Sequence, residues 1–394
     1  MVSLVPLVPG PLILTVFFLL LTPFMVFYPA VSLSAAREGL QLWLTVLLPA
    51  LFPFLVVAEL ILALGLPRLV GAVLEPLMRP LFRLPGAAAV VVAVGFTTGF
   101  PVGAIMTAQL IREGMLTAAE GERLVLFTNN ASPLFMLGAV GAGMYGSAEV
   151  GLLLAVSHYG ANLLVGLISA RLSPEGRSSV SLPFRYRWKA EWRIFLTQSV
   201  PAGETLGAAI GKGMHSILII GGYAIFFVVA FRLLSAGGLL APALALLERA
   251  LPALQASPEL APGLLSGTLE MSIGCQQIAV AQAPLSQRLC TTALILSWSG
   301  LSILSQVAAC LAGTGVRMSR YILARLAQSL LSMAIVSLWL PYIPTSLASA
   351  NIPPILGIRL WPFWPGFSGT VYLILACLLA LWTFALRQKG WRQK

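Results

Sequence analysis

Charged side chains are scarce: they make up 9% of the chain, where a soluble domain carries about a quarter. So little charge excludes a water-covered globular surface, and most of the chain must face lipid or other helices. Strand-like alternation in ten-residue blocks is missing, which excludes a membrane β-barrel. The four cysteines, Cys275, Cys290, Cys310 and Cys377, contain no CxxC pair, so neither a disulfide framework nor a zinc site is indicated. Only two histidines are present, His158 and His215, too few for a histidine-rich metal centre. No P-loop, HExxH or nucleophile–base–orienter set is visible, so an enzyme is not expected.

What is present is apolar sequence, 58% of the chain, in runs long enough to cross bilayer hydrocarbon. Such runs should be helices, because lipid offers no partner for backbone polar groups. The expected fold is an all-α polytopic membrane protein. The spans read as 11–32, 39–64, 119–143, 149–172, 207–234, 288–312, 318–343 and 365–387, about eight crossings. Two further apolar stretches are interrupted by polar turns. Gly86–Arg112 is split at Thr97-Thr98-Gly99-Phe100-Pro101, and Pro262–Gln282 is split near Glu270. Each reads as a re-entrant helical hairpin buried in protein. Before each lies a segment of interfacial character, 66–84 and 238–257.

The net charge of +11 does not indicate nucleic acid, because the basic residues sit between apolar runs. With both termini inside, only Arg37, Arg232, Arg249, Arg288 and Arg359 of the 24 basic residues fall outside, as the positive-inside rule requires. Reading either split segment as a full crossing breaks that asymmetry. Two halves then share one order: crossing helix, surface helix, hairpin, broken crossing helix, crossing helix. Each half has an odd number of full crossings, so the second starts from the opposite side. Inverted repeats with discontinuous helices are a recurrent plan of secondary transporters, whose substrate site lies where the breaks meet.

The candidate site residues follow from those breaks. Thr97, Thr98 and Gly99 form the first hairpin turn. Asn129, Asn130 and Ser132, just before Pro133, interrupt the broken helix of the first half. Ser297 and Ser299 occupy the matching place in the second half. Glu270, followed by Ser272 and Gln276, is the carboxylate of the second hairpin turn. An intramembrane acid is a functional candidate by default, so Glu270 is assigned to coupling by H⁺ or Na⁺; its alternative role is to cap the following half-helix. Secondary candidates are Glu59, which an arginine of the surface helix is expected to pair, and His158 with Asn162, four apart on one helix face. No cofactor beyond a coupling ion and no metal is expected. The expected partners are a small organic anion and the lipid bilayer, with homo-oligomerisation left open.

Several segments together resemble a known family. AREGLQLWLTVLLPALFPFLVVAELILALG, LEPLMRPLFRLPG, GFTTGFPVGA, LTAAEGERLVLFTNNASPLFMLGAVG, LAVSHYGANLLVG and LLSGTLEMSIGCQ are similar to the sporulation integral membrane protein YlbJ family. The likeness runs over about residues 35–343. That family sits among proteins with nucleoside-recognition, or Gate, domains, which resemble concentrative nucleoside transporters. The spans and charges divide the chain into an N-terminal helix and connector over 1–38, a first repeat over 39–172, which the resemblance makes Gate-type, and a basic cytoplasmic loop over 173–206. A second, inverted repeat over 207–343 and a C-terminal helix with a basic tail over 344–394 complete the division. The resemblance further implies a bacterial multi-pass protein of the outer forespore membrane that moves dipicolinic acid during endospore formation. A non-transporting scaffold for the spore envelope and a nucleoside carrier are the alternatives.

Overall fold

The computed structural model describes residues 10–172, 192–193 and 201–340; the expected span 365–387 lies outside them. Among the described residues the chain is helical, with no strand. Helix α1 (Gly10–Phe27) is followed by α2 (Pro29–Leu42), a five-residue π-helical turn (Trp43–Leu47) and α3 (Leu48–Ala63), which form one nearly continuous rod. The expected boundary at residue 39 is therefore absent: the helix begins at Pro29, whose ring suits a first helical position.

Gly65, at φ +67°, ends α3 and turns the chain by 83° into α4 (Leu66–Phe82). A left-handed residue at this corner costs glycine nothing. Helix α4 is amphipathic. Val73, Leu77 and Leu81, four apart, are exposed, while Glu75 is buried, pairs with Arg79 and accepts the backbone N–H of Gly86. A separate amphipathic helix thus occupies the segment 66–84.

The first hairpin is α5 (Ala88–Thr98) and α6 (Val102–Arg112), eleven residues each. At about 1.5 Å per residue each is long enough for only about half of the hydrocarbon thickness. Then follow α7 (Ala118–Thr128), an irregular break, a π-helical segment (Leu134–Met144) and α8 (Ala148–Leu172). The second half comprises α9 (Ala202–Ala236), α10 (Ala241–Ala250), the hairpin α11 (Ala261–Leu269) and α12 (Met271–Val280), the broken pair α13 (Leu285–Trp298) and α14 (Gly300–Cys310), and α15 (Met318–Trp339). Element for element, it follows the order of the first half.

By length and apolar composition, four stretches among the described residues suffice to cross a membrane: Ala148–Leu172, Gly203–Ala236, Leu285–Cys310 and Met318–Trp339. A fifth is added if the bent pair α3–α4 is one span. The expected broken span 119–143 comprises two short pieces, α7 and the π-helical segment, with the break between Thr128 and Leu134 where the sequence places it.

The two long rods pack antiparallel. Glu38 of α2 pairs with Arg232 near the end of α9 at 3.0 Å, and Glu59 of α3 pairs with Lys212 near its start at 3.5 Å. Between them, the Trp43 indole donates to the Ile217 carbonyl at 3.0 Å. The largest apolar core joins the halves, with Val125, Met136 and Leu154 in one cluster with Ile295, Leu304 and Tyr321.

Candidate functional site

Four helix interruptions meet at one place. The first hairpin turns at Gly99, whose φ of +98° and close approach to Ser132 (an added Cβ would lie 2.9 Å from Cβ of Ser132) demand glycine. Helix α7 ends at Thr128, and Pro133 cannot donate a backbone bond to continue it. The second hairpin turns at Glu270, which is extended at φ −140°. Helices α13 and α14 meet at Ser299 and Gly300, both left-handed at φ +72° and +81°. Between these points lies a cavity of about 400 Å³. Its polar lining comes from Thr45, Ser132, Glu270, Ser272, Ser302 and Gln306; the remainder is mostly apolar. Both π-helical segments also border it, through Thr45 and Leu47 in one and Leu134 and Gly138 in the other. π-Helical turns are rare and often mark functional sites.

Each break leaves backbone groups to be satisfied. Glu270 serves α12 directly: its Oε2 accepts the Ile273 N–H at 2.9 Å and the Ser272 hydroxyl. This is the capping alternative raised for Glu270, and the carboxylate faces the cavity as well. Ser132 plays a similar part for the π-helical segment, accepting the Phe135 N–H at 3.1 Å.

The carbonyls freed at the end of α7 are taken by a buried polar group supplied by α8 and α15. Arg325, with no exposed surface, donates to the carbonyls of Leu126 at 2.6 Å and Asn129 at 2.9 Å, and to Asn162 Oδ1 at 2.8 Å. Its guanidinium also lies 5.2 Å from the centre of the Tyr321 ring, within cation–π range. Asn129 donates to the Tyr321 hydroxyl at 2.6 Å, and Asn162 donates to Asn130 Oδ1 and to the Phe127 carbonyl. His158 Nε2 accepts the Ala131 N–H at 3.2 Å, which places the imidazole proton on Nδ1, directed at Ser297 Oγ 3.0 Å away. The Tyr159 hydroxyl donates to the Ala131 carbonyl at 3.0 Å.

Of the residues expected at the site, Gly99, Ser132, Glu270 and Ser272 line the cavity. The others lie elsewhere. Thr97 and Thr98 bond back to carbonyls of their own helix, Val94 among them. Asn129, Asn130, Asn162, His158 and Ser297 belong to the network behind the cavity wall. Ser299 bonds the neighbouring Trp298 carbonyl, and Gln276 is exposed on the far face of α12. Glu59 pairs with Lys212 of α9, not with an arginine of α4, because α9 is the helix packed along α3. Sequence reasoning missed Arg325, Tyr321, Gln306 and Thr45. An arginine inside the apolar run 318–343 was a visible signal; nothing local marks the other three.

The arrangement defines a class: an all-helical integral membrane protein with a cavity at the junction of paired helix breaks. Residues 44–148 match the family model described as Gate: Nucleoside recognition, covering the rod end, α4, the first hairpin and the first break. The sporulation integral membrane protein YlbJ of Bacillus subtilis (strain 168) is 36% identical over 338 residues, 84% of this chain and 83% of that protein. The chain belongs to the YlbJ family of sporulation integral membrane proteins, as its motifs led one to expect. No solved structure matches it.

Proposed function

We propose that this protein is a secondary carrier for a small organic anion, of which dipicolinic acid is the specific candidate, acting at the outer forespore membrane during endospore formation. The observation that carries the reading is the cavity where the four interruptions converge. A packed scaffold has no need to bring Gly99, Ser132, Glu270 and Ser302, from four separate elements, around one space. The antiparallel rods and shared element order support an inverted repeat, with the substrate at the junction of the halves. The contacts between halves also agree with the charge-derived topology. They join Glu38 to Arg232 on the proposed outside, and Glu59 to Lys212 and Glu122 to Arg317 on the proposed inside.

A mostly apolar cavity with one carboxylate suits a flat aromatic acid that binds together with H⁺ or Na⁺ at Glu270, because a dianion alone would be repelled. Sporulation comes from the family resemblance and the relative's name, and dipicolinate from the family resemblance alone, not from the cavity. The Gate match favours a nucleoside as the second reading. The test is uptake into vesicles containing only this protein, with labelled dipicolinate and labelled nucleosides compared under imposed H⁺ and Na⁺ gradients. Dipicolinate uptake that follows a gradient supports the proposal. Nucleoside uptake alone transfers it to the second reading, and uptake of neither overturns both.

A further inference from the structure

We infer that Arg325 is the fixed positive charge that draws a substrate carboxylate to the Ala131–Ser132 wall of the cavity, an inference that rests on the carrier reading above. Three of the buried acids elsewhere have cationic partners: Glu59 has Lys212, Glu75 has Arg79 and Glu122 has Arg317, whereas Glu120 is held at the exposed-loop end of α7 by the N–H and hydroxyl of Thr117. Arg325 and Glu270 are buried charged side chains with no ion-pair partner among the described residues. Each holds one of the interruptions that border the cavity. The oxygens around Arg325 are neutral. The carbonyl end of α7 offers only about half a negative charge, so a positive field remains. Arg325 Nε has no hydrogen-bond partner among the described residues. Two peptide units, at most about 8 Å of chain, separate the Asn129 carbonyl it holds from Ala131 on the cavity wall. There Ser132 accepts from Phe135 through its oxygen, which leaves its hydroxyl proton to donate to a carboxylate. The cavity thus has an anion-attracting wall at Ser132 and a cation-attracting carboxylate at Glu270, and a substrate anion and a coupling cation satisfy both.

The test measures binding to the purified full-length protein, at fixed pH and Na⁺, of pyridine-2,6-dicarboxylate and of its neutral isostere pyridine-2,6-dicarboxamide. The wild type should prefer the dicarboxylate. Arg325→Gln, which keeps N–H donors but not the charge, should weaken the dicarboxylate roughly tenfold and leave the dicarboxamide unchanged. Arg325→Lys should keep the preference. Equal weakening of both ligands in Arg325→Gln overturns the inference and reduces Arg325 to a structural clamp. Should that variant not fold, the wild-type preference decides: a wild type that favours the dicarboxamide overturns the inference alone. A wild type that binds neither ligand overturns the carrier reading and this inference with it.

Discussion

The side-chain amide of Asn129 donates to the Tyr321 hydroxyl at 2.6 Å across 192 residues of sequence. This bond ties the break of the first half to the last described helix of the second. Tyr321→Phe removes the acceptor and leaves the amide buried, with Asn129 Oδ1 already unpartnered. The expected loss is about 1–3 kcal/mol of stability, read as a lower melting temperature in detergent. Ligand affinity of the folded protein should not change, because Tyr321→Phe removes no charge and leaves the cavity lining intact. The double variant Asn129→Leu, Tyr321→Phe should cost less than the sum of its parts.

Glu122 accepts from Arg317 at 2.9 and 3.0 Å and from Arg320. The acid is 5% exposed, whereas the arginines are 56% and 52% exposed, and that asymmetry sets the sign of the comparison. Glu122→Ala lets both arginines turn to water and should cost about 1–2 kcal/mol. The double variant Arg317→Ala, Arg320→Ala strands a buried carboxylate and should cost about 3–5 kcal/mol. Chemical denaturation of the two variants checks the order, and a larger loss for Glu122→Ala contradicts it.

Hairpin one seats the end of α7 through two missing side chains. A Cβ at Gly95 would lie 2.0 Å from the Thr128 carbonyl oxygen, and one at Gly103 would lie 2.3 Å from it. The obstructing atom is backbone, which cannot rotate away. Gly95→Ala and Gly103→Ala should each cost about 3 kcal/mol or more and reduce the yield of folded protein. Gly207→Ala meets no atom within 4 Å and should be neutral or slightly stabilising in its helix. Size-exclusion profiles of the three variants distinguish these outcomes.

Glu270→Gln keeps an oxygen to cap α12 but removes the charge. Uptake should lose its dependence on an imposed H⁺ or Na⁺ gradient, with the melting temperature nearly unchanged. Glu270→Ala removes the cap as well and should lower stability by about 1 kcal/mol. Unaltered gradient dependence in Glu270→Gln would remove this residue from coupling.

Topology has its own measurement. In a background without the native cysteines, Glu113→Cys should react with an impermeant thiol reagent only from the inside, and Gln255→Cys only from the outside. Both sites are exposed in the structure. Labelling from one common side would contradict the inverted arrangement.

Composition and local chemistry made much of this molecule legible in advance. Low charge and long apolar runs require helices in lipid. Gly99 and Pro133 mark interruptions because their backbones permit or forbid particular conformations wherever they stand. The amphipathic segment 66–84 and the polar turn at Glu270 are likewise local signals. The direction of a polar side chain at a break is not local. Thr97 and Thr98 return to their own helix, and Asn129 and Asn130 turn from the cavity toward α8 and α15. Which face of a short helix meets a neighbour depends on packing against elements hundreds of residues away. The same holds for the partners of charge: Lys212 reaches Glu59 because the rods run antiparallel, and Arg325 reaches the carbonyls of α7 because α15 lies beside the break. Sequence alone determined that this chain is a helical membrane protein with paired interruptions. Only the tertiary structure decided which residues surround the shared cavity and which hold its walls, since burying a polar group is tolerable only where packing delivers its partner.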